Sequence, residues 1–125
     1  MEKHWLKSYP AGVRPTIDVS EYRSLTHLID SSLKEHADHV AYVQMGTELS
    51  YRELDQQSAA FAAWLQQTAG IQKGDRVAVM MPNILQYPIA VCGVLRAGGT
   101  VVNTNPLYTP RELGHQLTDS GATVI

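Results

Sequence analysis

Two short valine-rich runs, each bounded by turn residues, limit the folds that this chain can adopt. RVAVMM (76–81) and TVVNTN (100–105) are separated by NILQYPIAVCGVLRAGG (83–99), a segment of helical length. Unbroken apolar runs are typical of strands buried on both faces, and strands that alternate with helices form parallel sheets through right-handed crossovers. The pattern predicts an α/β fold with a partial, mostly parallel sheet flanked by helices. We place its strands at residues 77–80, 101–103 and 123–125, the last within the terminal ATVI.

Two capping boxes predict where helices begin. In SYRE the Ser50 hydroxyl can accept from the Glu53 N–H, while the Glu53 carboxylate accepts from the Ser50 N–H. In TPRE the pair is Thr109 and Glu112, and Pro110 takes the first helical position, where its missing N–H costs nothing. The helix that begins at Ser50 ends at Gly70. Its apolar face consists of Leu54, Ser58, Phe61 and Leu65.

The N-terminal third is predicted to contain an arm, a helix and a hairpin. Residues 1–23 contain several turn residues and no sustained period, which favours an extended arm. VAYVQMGTELSY (40–51) is predicted to form two strands around a three-residue loop at 46–48. Between arm and hairpin a helix is expected from Ser24, fading over 34–39. Its apolar stripe consists of Leu25, Leu28, Ile29 and Leu33.

The composition is that of an ordinary globular domain, and it argues against several classes of protein. At 125 residues and 44 % hydrophobic, the chain is long enough for one cored domain. Ten Lys and Arg against twelve Asp and Glu, without a sustained basic run, argue against a nucleic-acid-binding protein. The single cysteine, Cys92, lies in an apolar run, which fits a reducing cytoplasm. No apolar run approaches the roughly 18 residues of a membrane span.

The N-terminal arm leaves two interactions open. Cationic and apolar side chains alternate along it: Lys3, Trp5, Leu6, Lys7, Tyr9 and Arg14. This mixture could favour peripheral contact with an anionic surface at the inner face of the membrane, whereas an arm packed on its own domain is the simpler interpretation. Trp5, Tyr9 and Trp64 could also serve a homodimer contact if they are exposed.

Motifs for nucleotide, metal and nucleophile chemistry do not assemble in this sequence. GVLRAGGT (93–100) has the spacing of a phosphate-binding loop, but Gly99 stands at the lysine position, and the motif follows a helix instead of a strand. Two pairs have metal-like spacings without further ligands and are interpreted as solvated helix faces: His36 with His39, and Glu112 with His115. We therefore assign no catalytic, cofactor-binding or metal-ligating residue. Pro88 removes a backbone donor, which predicts a kink or a late helix start.

Three segments carry a resemblance to a known family. They are ELSYRELDQQSAAFAAWLQ (48–66), GIQKGDRVAVMMPNILQYPIAVCGVLRAGG (70–99) and VVNTNPLYTPRELGHQLTDSGATVI (101–125). In this order they resemble the opening of the adenylate-forming acyl-CoA synthetases, most closely the bacterial long-chain fatty acid–CoA ligases. KGDRVAVMMPN and NPLYTPREL are the most specific stretches, while Gly114 departs from the family, which usually has a larger residue there.

The resemblance implies an incomplete N-terminal subdomain of the adenylate-forming fold, with residues 1–23 as an arm and 24–125 as the first part of the large adenylation domain. It implies a longer parent that joins a fatty acid to ATP, releases pyrophosphate, and transfers the acyl group to coenzyme A with the help of Mg²⁺. The family's phosphate loop, adenine-binding segment and catalytic lysine would lie beyond Ile125. On this interpretation the fragment alone is an inactive scaffold that binds no cofactor.

A second interpretation is a free-standing α/β module that binds a small molecule or regulates another protein. Folds with a parallel sheet place ligands at the loops that follow the strands. Here these loops are MPN (81–83) and NPLYT (105–109). A threonine- and glycine-rich phosphate loop after Ile125 would favour the enzyme, and a stop codon would favour the module.

Overall fold

Helices and strands alternate along the chain, which a computed structural model describes for residues 3–125. In chain order the elements are a 3₁₀ helix (His4–Ser8), α1 (Leu25–Glu35), β1 (Val40–Gln44), β2 (Thr47–Ser50), α2 (Tyr51–Gln67), β3 (Arg76–Val79), α3 (Gln86–Arg96), β4 (Thr100–Asn103) and α4 (Pro110–Ser120). The predicted α/β fold, with a hairpin and a partial parallel sheet, is confirmed.

The parallel sheet is centred on β3. β4 pairs with it in register from Arg76 opposite Thr100 to Val79 opposite Asn103. On the opposite edge of β3, Val124 forms a single parallel bridge with Val77. The pairing agrees with the prediction, but the extents differ. β3 ends at Val79 and excludes Met80, and the expected strand at 123–125 is reduced to one bridge, supported by the hydrogen bond from the Ala78 N–H to the Val124 carbonyl (2.8 Å).

The hairpin is separate from the parallel sheet, as expected, but its loop is shorter than predicted. β1 and β2 are antiparallel, and Gln44 pairs directly with Thr47. The loop is therefore the two residues Met45 and Gly46, instead of 46–48. Both have positive φ, 50° and 81°, which is the backbone of a type I′ turn, whose twist matches that of the strands it joins. The sequence hid this turn because Met rarely adopts a left-handed conformation.

Both predicted capping boxes are present. The Ser50 hydroxyl accepts from the Glu53 N–H at the start of α2, and Thr109 accepts from Glu112 at the start of α4, with the carboxylates bonded back in each case. Ser24 caps α1 by accepting from the His27 N–H. Each cap satisfies N–H groups that the first helical turn leaves without a partner.

α3 begins only two residues before Pro88, so the proline lies in the first turn, where a missing donor is tolerated. The predicted late start is confirmed.

In α1, Leu33 is buried and Ile29 packs against the same cluster, but Leu25 is 57 % exposed. The prediction that Leu25 belongs to the buried apolar stripe is therefore wrong; it is the first residue of α1.

The core lies where α2 and α3 cross the parallel sheet. Leu65 and Val94 are fully buried there, together with Val77 and Val79 of β3. The two helices approach closely at Gly93: a Cβ added there would lie 2.6 Å from Phe61 Cδ1 and 3.1 Å from the Ser58 carbonyl oxygen. A side chain at this position would therefore force the Phe61 ring, and to a smaller extent the backbone of α2 at Ser58, to move.

A polar cluster joins the three helices on one side of this core. The Arg96 guanidinium, only 15 % exposed, pairs with Asp30 of α1 and Asp55 of α2. It also donates to the Ser58 hydroxyl (2.8 Å), which is itself fully buried on α2. Because a planar guanidinium can satisfy several acceptors at once, one residue at the end of α3 fixes the positions of α1 and α2.

Residues 3–23 of the N-terminal arm are almost entirely exposed. Apart from the short 3₁₀ helix, these residues have no regular structure, as predicted for an extended segment. Within residues 3–23, Leu6 is half-buried and every other residue is exposed. The simpler interpretation, an arm packed on its own domain, is therefore wrong for the described residues. No helix within residues 3–125 combines the length and the apolar character that crossing a membrane requires.

Candidate functional site

The candidate site is the edge of the parallel sheet where β3 and β4 end. The loops that follow these strands, 80–85 and 104–109, leave the sheet at this edge, where open α/β sheets place their ligands. Thr104, the first residue beyond β4, is buried and donates its N–H to the Val79 carbonyl (3.1 Å). The ends of the two strands are thus held together one residue beyond the ladder.

Asn103, the last residue of β4, connects both neighbouring helices to this edge. The Tyr87 hydroxyl of α3 donates to Asn103 Oδ1 (2.8 Å), and Gln116 Nε2 of α4 donates to the Asn103 carbonyl oxygen (2.9 Å). Among the described residues, Gln116 Oε1 is buried and has no hydrogen-bond partner. The arrangement positions helices and loops, and it contains no nucleophile next to a base.

The hairpin supports the same edge through Gln44. Its side chain donates to the Asn83 carbonyl oxygen and accepts from the Leu85 N–H, both at 3.1 Å. Leu85 is the N-cap of α3 and has no capping side chain of its own, so Gln44 satisfies a donor that the local sequence leaves open. Sequence reasoning missed this residue, because its partners lie about forty positions away and no local pattern marks them.

A groove of about 700 Å³ runs along α4 beside the loop at 105–109. Tyr108, Arg111, His115 and Asp119 contribute to its lining, which mixes both signs of charge. Glu112 also borders the groove, but its carboxylate accepts from the Thr109 hydroxyl (2.7 Å) and N–H (2.8 Å). These hydrogen bonds hold the pKa of Glu112 below its usual range, so the group is an ionised helix cap and is poorly suited to act as a general acid.

Gly98 and Gly99, which have the spacing of a phosphate-binding loop, use their N–H groups in hydrogen bonds that end α3. The Gly98 N–H donates to the Leu95 carbonyl (3.1 Å) and the Gly99 N–H to the Val94 carbonyl (2.9 Å). Gly98 has a φ of 86°, the left-handed conformation that commonly follows a helix. A phosphate needs free N–H groups at a helix N-terminus, and these two groups end α3, so the residues present do not fit one.

The cysteine and the two metal-like residue pairs considered from the sequence do not form a reactive or metal-binding site in the described part of the chain. Burial raises the pKa of the Cys92 thiol, which therefore stays protonated near neutral pH and is a poor nucleophile. His36 ends α1 and His39 lies in the following turn, with their rings stacked at 5.7 Å. The expectation of a solvated helix face is thus wrong for His39, while His115 is an exposed residue of α4. Within residues 3–125, no three His, Cys, Asp or Glu side chains gather closely enough to hold a metal ion.

Comparison with protein families matches residues 29–125 to the AMP-binding enzyme family. The chain belongs to the AMP-binding enzymes. It is 59 % identical over 125 residues to a long-chain-fatty-acid–CoA ligase of Yersinia pestis, and 56 % identical over the same length to one of Escherichia coli. Both alignments cover 100 % of this chain and 22 % of the relative, so the chain spans about a fifth of the length of these relatives.

A solved structure confirms the fold of this AMP-binding segment. The N-terminal subdomain of Klebsiella oxytoca NpsA, in complex with anthranilyl-AMSN, superposes with a TM-score of 0.77 at 27 % identity, covering 82 % of this chain and 27 % of that one. The prediction of a partial N-terminal subdomain of the adenylate-forming fold is therefore confirmed.

Proposed function

We propose that this chain is part of an ATP-dependent, AMP-forming long-chain fatty acid–CoA ligase. The observation that carries the proposal is the 59 % identity over the whole chain to a relative with that name. The family match supports the adenylate-forming part of the reaction. The stretch KGDRVAVMMPN (73–83) contains β3 and the start of the loop after it, and NPLYTPREL (105–113) contains the loop after β4 and the first turn of α4.

The proposed reaction has two steps. A fatty acid carboxylate oxygen attacks the α-phosphorus of ATP, the bond to the β-phosphate oxygen breaks, and pyrophosphate leaves an acyl-adenylate. The thiol of coenzyme A, as thiolate, then attacks the acyl carbon, and AMP leaves with the electrons of the broken C–O bond. Mg²⁺ would neutralise charge on the phosphates, as is usual in phosphoryl chemistry.

The proposed role of this chain within that enzyme is to support the site. Residues 24–125 would be the first part of the large adenylation domain and residues 1–23 an arm in front of it. Gln44 holds the start of α3, and Asn103 at the end of β4 accepts from Tyr87 of α3. The loops at 80–85 and 104–109 are therefore positioned by contacts inside the chain. We assign no residue of the chain to ATP, Mg²⁺ or coenzyme A, and we place the enzyme in the cytoplasm without a nucleic-acid partner.

Exchange of labelled pyrophosphate into ATP tests this function. The longer protein that carries this chain should catalyse exchange that depends on a long-chain fatty acid, whereas the isolated 125-residue chain should catalyse none. Circular dichroism of both proteins supplies the folded-state control. Exchange by the isolated chain would contradict the scaffold role, and a folded longer protein inactive with every fatty acid tested would contradict the ligase.

A free-standing binding module is the alternative, and the groove along α4 is the observation that favours it. A module should bind a small ligand tightly without further chain, since pockets of several hundred Å³ suffice for small molecules. Thermal-shift screening of the isolated chain against nucleotides and acyl-adenylate analogues distinguishes the two. A ligand-dependent rise in melting temperature that Arg111→Ala abolishes, with Lys73→Ala as control, would favour the module.

A further inference from the structure

We propose that Gln44 is a positioning residue of the ligase, which holds the loop at 80–85 in the conformation that admits substrate. The inference rests on the proposed function and adds to it a residue that lies about forty positions from the loop on which it acts. Gln44 would act through this loop and would not itself contact the reacting atoms.

The order of the strands places the loop at a crevice of the parallel sheet. β3 lies between β4 on one side and the bridge at Val124 on the other. The chain therefore leaves β3 toward one edge of the sheet through α3, and it later returns through α4 to the opposite edge. Because such crossovers are right-handed, we expect the two helices on opposite faces of the sheet. Open α/β sheets bind their ligands at such a point, beyond the carboxyl ends of the strands, so the loop at 80–85 forms one wall of the expected crevice.

Gln44 connects this loop to the hairpin. Its Nε2 donates to the Asn83 carbonyl oxygen and its Oε1 accepts from the Leu85 N–H, each over 3.1 Å. Within residues 3–125, the other hydrogen bonds that the loop makes stay inside it or reach only the first turn of α3. One amide thus satisfies an acceptor and a donor two residues apart, which fixes the path of the backbone between them.

Packing alone does not fix the loop against the hairpin. A cavity of about 300 Å³ lies between them, lined by Tyr42 and Val43 of the hairpin and by Asn83 of the loop, among others. The loop therefore has room to move on this side when the hydrogen bonds of Gln44 are lost. The Leu85 side chain, by contrast, packs against a buried cluster of α1, β2 and α2, which keeps the start of α3 in place.

The hairpin that carries Gln44 is itself anchored to the helices. Leu49 of β2 is 4 % exposed and belongs to the same cluster as Leu33 and Leu54. Gln44 ends β1 and pairs with Thr47 across the two-residue turn. Since the register of a hairpin decides the face on which each side chain lies, the turn fixes the direction of the Gln44 side chain. Gln44 therefore holds the loop from a fixed support.

Steady-state kinetics of the longer protein tests this role. Gln44→Met is close in shape but forms neither hydrogen bond, so the loop should leave the competent conformation more often. Two hydrogen bonds correspond to on the order of ten-fold in this population, and the KM of at least one of fatty acid, ATP and coenzyme A should rise by that factor. The kcat should stay within about two-fold, because saturating substrate selects the competent loop. The matched control, Gln57→Met at an exposed position of α2, should change neither constant.

Amide hydrogen exchange of the same protein measures the loop directly. The Leu85 N–H should exchange on the order of ten-fold faster in Gln44→Met than in the parent. In Gln44→Glu the carboxylate can still accept from Leu85 but cannot donate to the Asn83 carbonyl oxygen. Protection of Leu85 should therefore remain in this variant while the KM still rises. Circular dichroism at the assay temperature should show that both variants are folded.

Three results distinguish the possible failures. A parent protein without fatty-acid-dependent pyrophosphate exchange would contradict the ligase, and the role of Gln44 in it would fall as well. An active parent whose three KM values are unchanged by Gln44→Met would contradict the positioning role alone. A lower kcat with unchanged KM, together with a lower melting temperature and faster exchange throughout the hairpin, would assign Gln44 to the stability of the fold and not to the loop.

Discussion

α3 and α4 are closely matched helices that are stabilised in opposite ways. Each has eleven residues, follows a strand of the parallel sheet, carries a proline in its first turn and contains a glycine. α3 has no capping side chain of its own and buries Ala90, Gly93 and Val94. α4 has a complete capping box with Pro110 at its first position, and none of its residues is buried.

The difference shows that the same local element can depend on two different sources of stability. α3 packs against α2, β3 and β4, so its stability comes mainly from burial of apolar side chains. α4 is stabilised within one turn of its own sequence. The capping box contributes to the stability of α4 through local hydrogen bonds, whereas α3 has no capping side chain of its own and depends on burial in the assembled core.

The largest expected effect is the loss of stability when a charge is placed in α3, compared with the same change in α4. Val94→Asp should unfold the chain, because it places an unpaired carboxylate at a position with no exposure, at a cost of about 5 kcal/mol or more. Leu117→Asp, at a half-buried position of α4, should cost about 1 kcal/mol. Urea denaturation followed by circular dichroism measures both. Similar losses for the two variants would show that α4 is packed as firmly as α3.

The second prediction concerns the ion-paired end of α3. Arg96→Met should destabilise the chain by about 2 kcal/mol, because Asp30 and Asp55 lose their shared partner while remaining about 40 % exposed and able to rehydrate. A double-mutant cycle with Asp30→Asn isolates the pair from other effects. A coupling energy near zero would mean that the guanidinium contributes only packing.

The third prediction compares the two internal glycines. Gly93→Ala should destabilise the chain by about 1–2 kcal/mol, because contact with Phe61 and the Ser58 carbonyl outweighs the gain in helix propensity. Gly114→Ala should stabilise it by up to about 1 kcal/mol, since an added Cβ meets nothing within 4 Å. Thermal denaturation should therefore move in opposite directions, and a shift of the same sign for both would refute the contrast.

The smallest expected effect tests the local source of stability in α4. Thr109→Ala should cost about 1 kcal/mol by leaving the Glu112 N–H without its acceptor. Replacement of the cap by Gly, which is a tolerated N-cap residue, should recover most of the loss. If Thr109→Ala left the helical signal and the midpoint unchanged, the capping box would not be what stabilises α4.

The same box predicts a pH dependence. Because hydrogen bonds from Thr109 lower the pKa of Glu112 in the folded state, its contribution is fully present above the ordinary glutamate range near pH 4.3, and it disappears as the pH falls through the lowered folded value. Denaturation curves recorded between neutral and strongly acidic pH should show this loss in the parent chain. In Glu112→Gln, which has no ionisable carboxylate, that part of the pH dependence should be absent.

The features that the sequence predicted are those set by local contacts, and the features that it missed depend on tertiary contacts or on an unusual backbone conformation. The capping boxes at Ser50 and Thr109, the parallel pairing of the valine-rich runs and the helix end at 98–99 were all predictable, because each depends on neighbouring residues or on one apolar run. The two-residue turn at Met45 was not, because its left-handed backbone goes against the preference of the residue. The role of Gln44 was not predictable either, since its partners lie far along the chain.

By itself, the sequence determined where most helices begin and end, which runs form strands, and the family to which the chain belongs. Those properties depend on hydrogen bonds within a turn and on patterns of apolar residues that any reader of the sequence can find. Only the tertiary structure decided that Gly93 lies where α2 and α3 touch, that Arg96 joins three helices, that the third strand is a single bridge and that residues 3–23 are almost entirely exposed. These properties depend on which surfaces meet, and contacts between residues distant in sequence leave no local pattern.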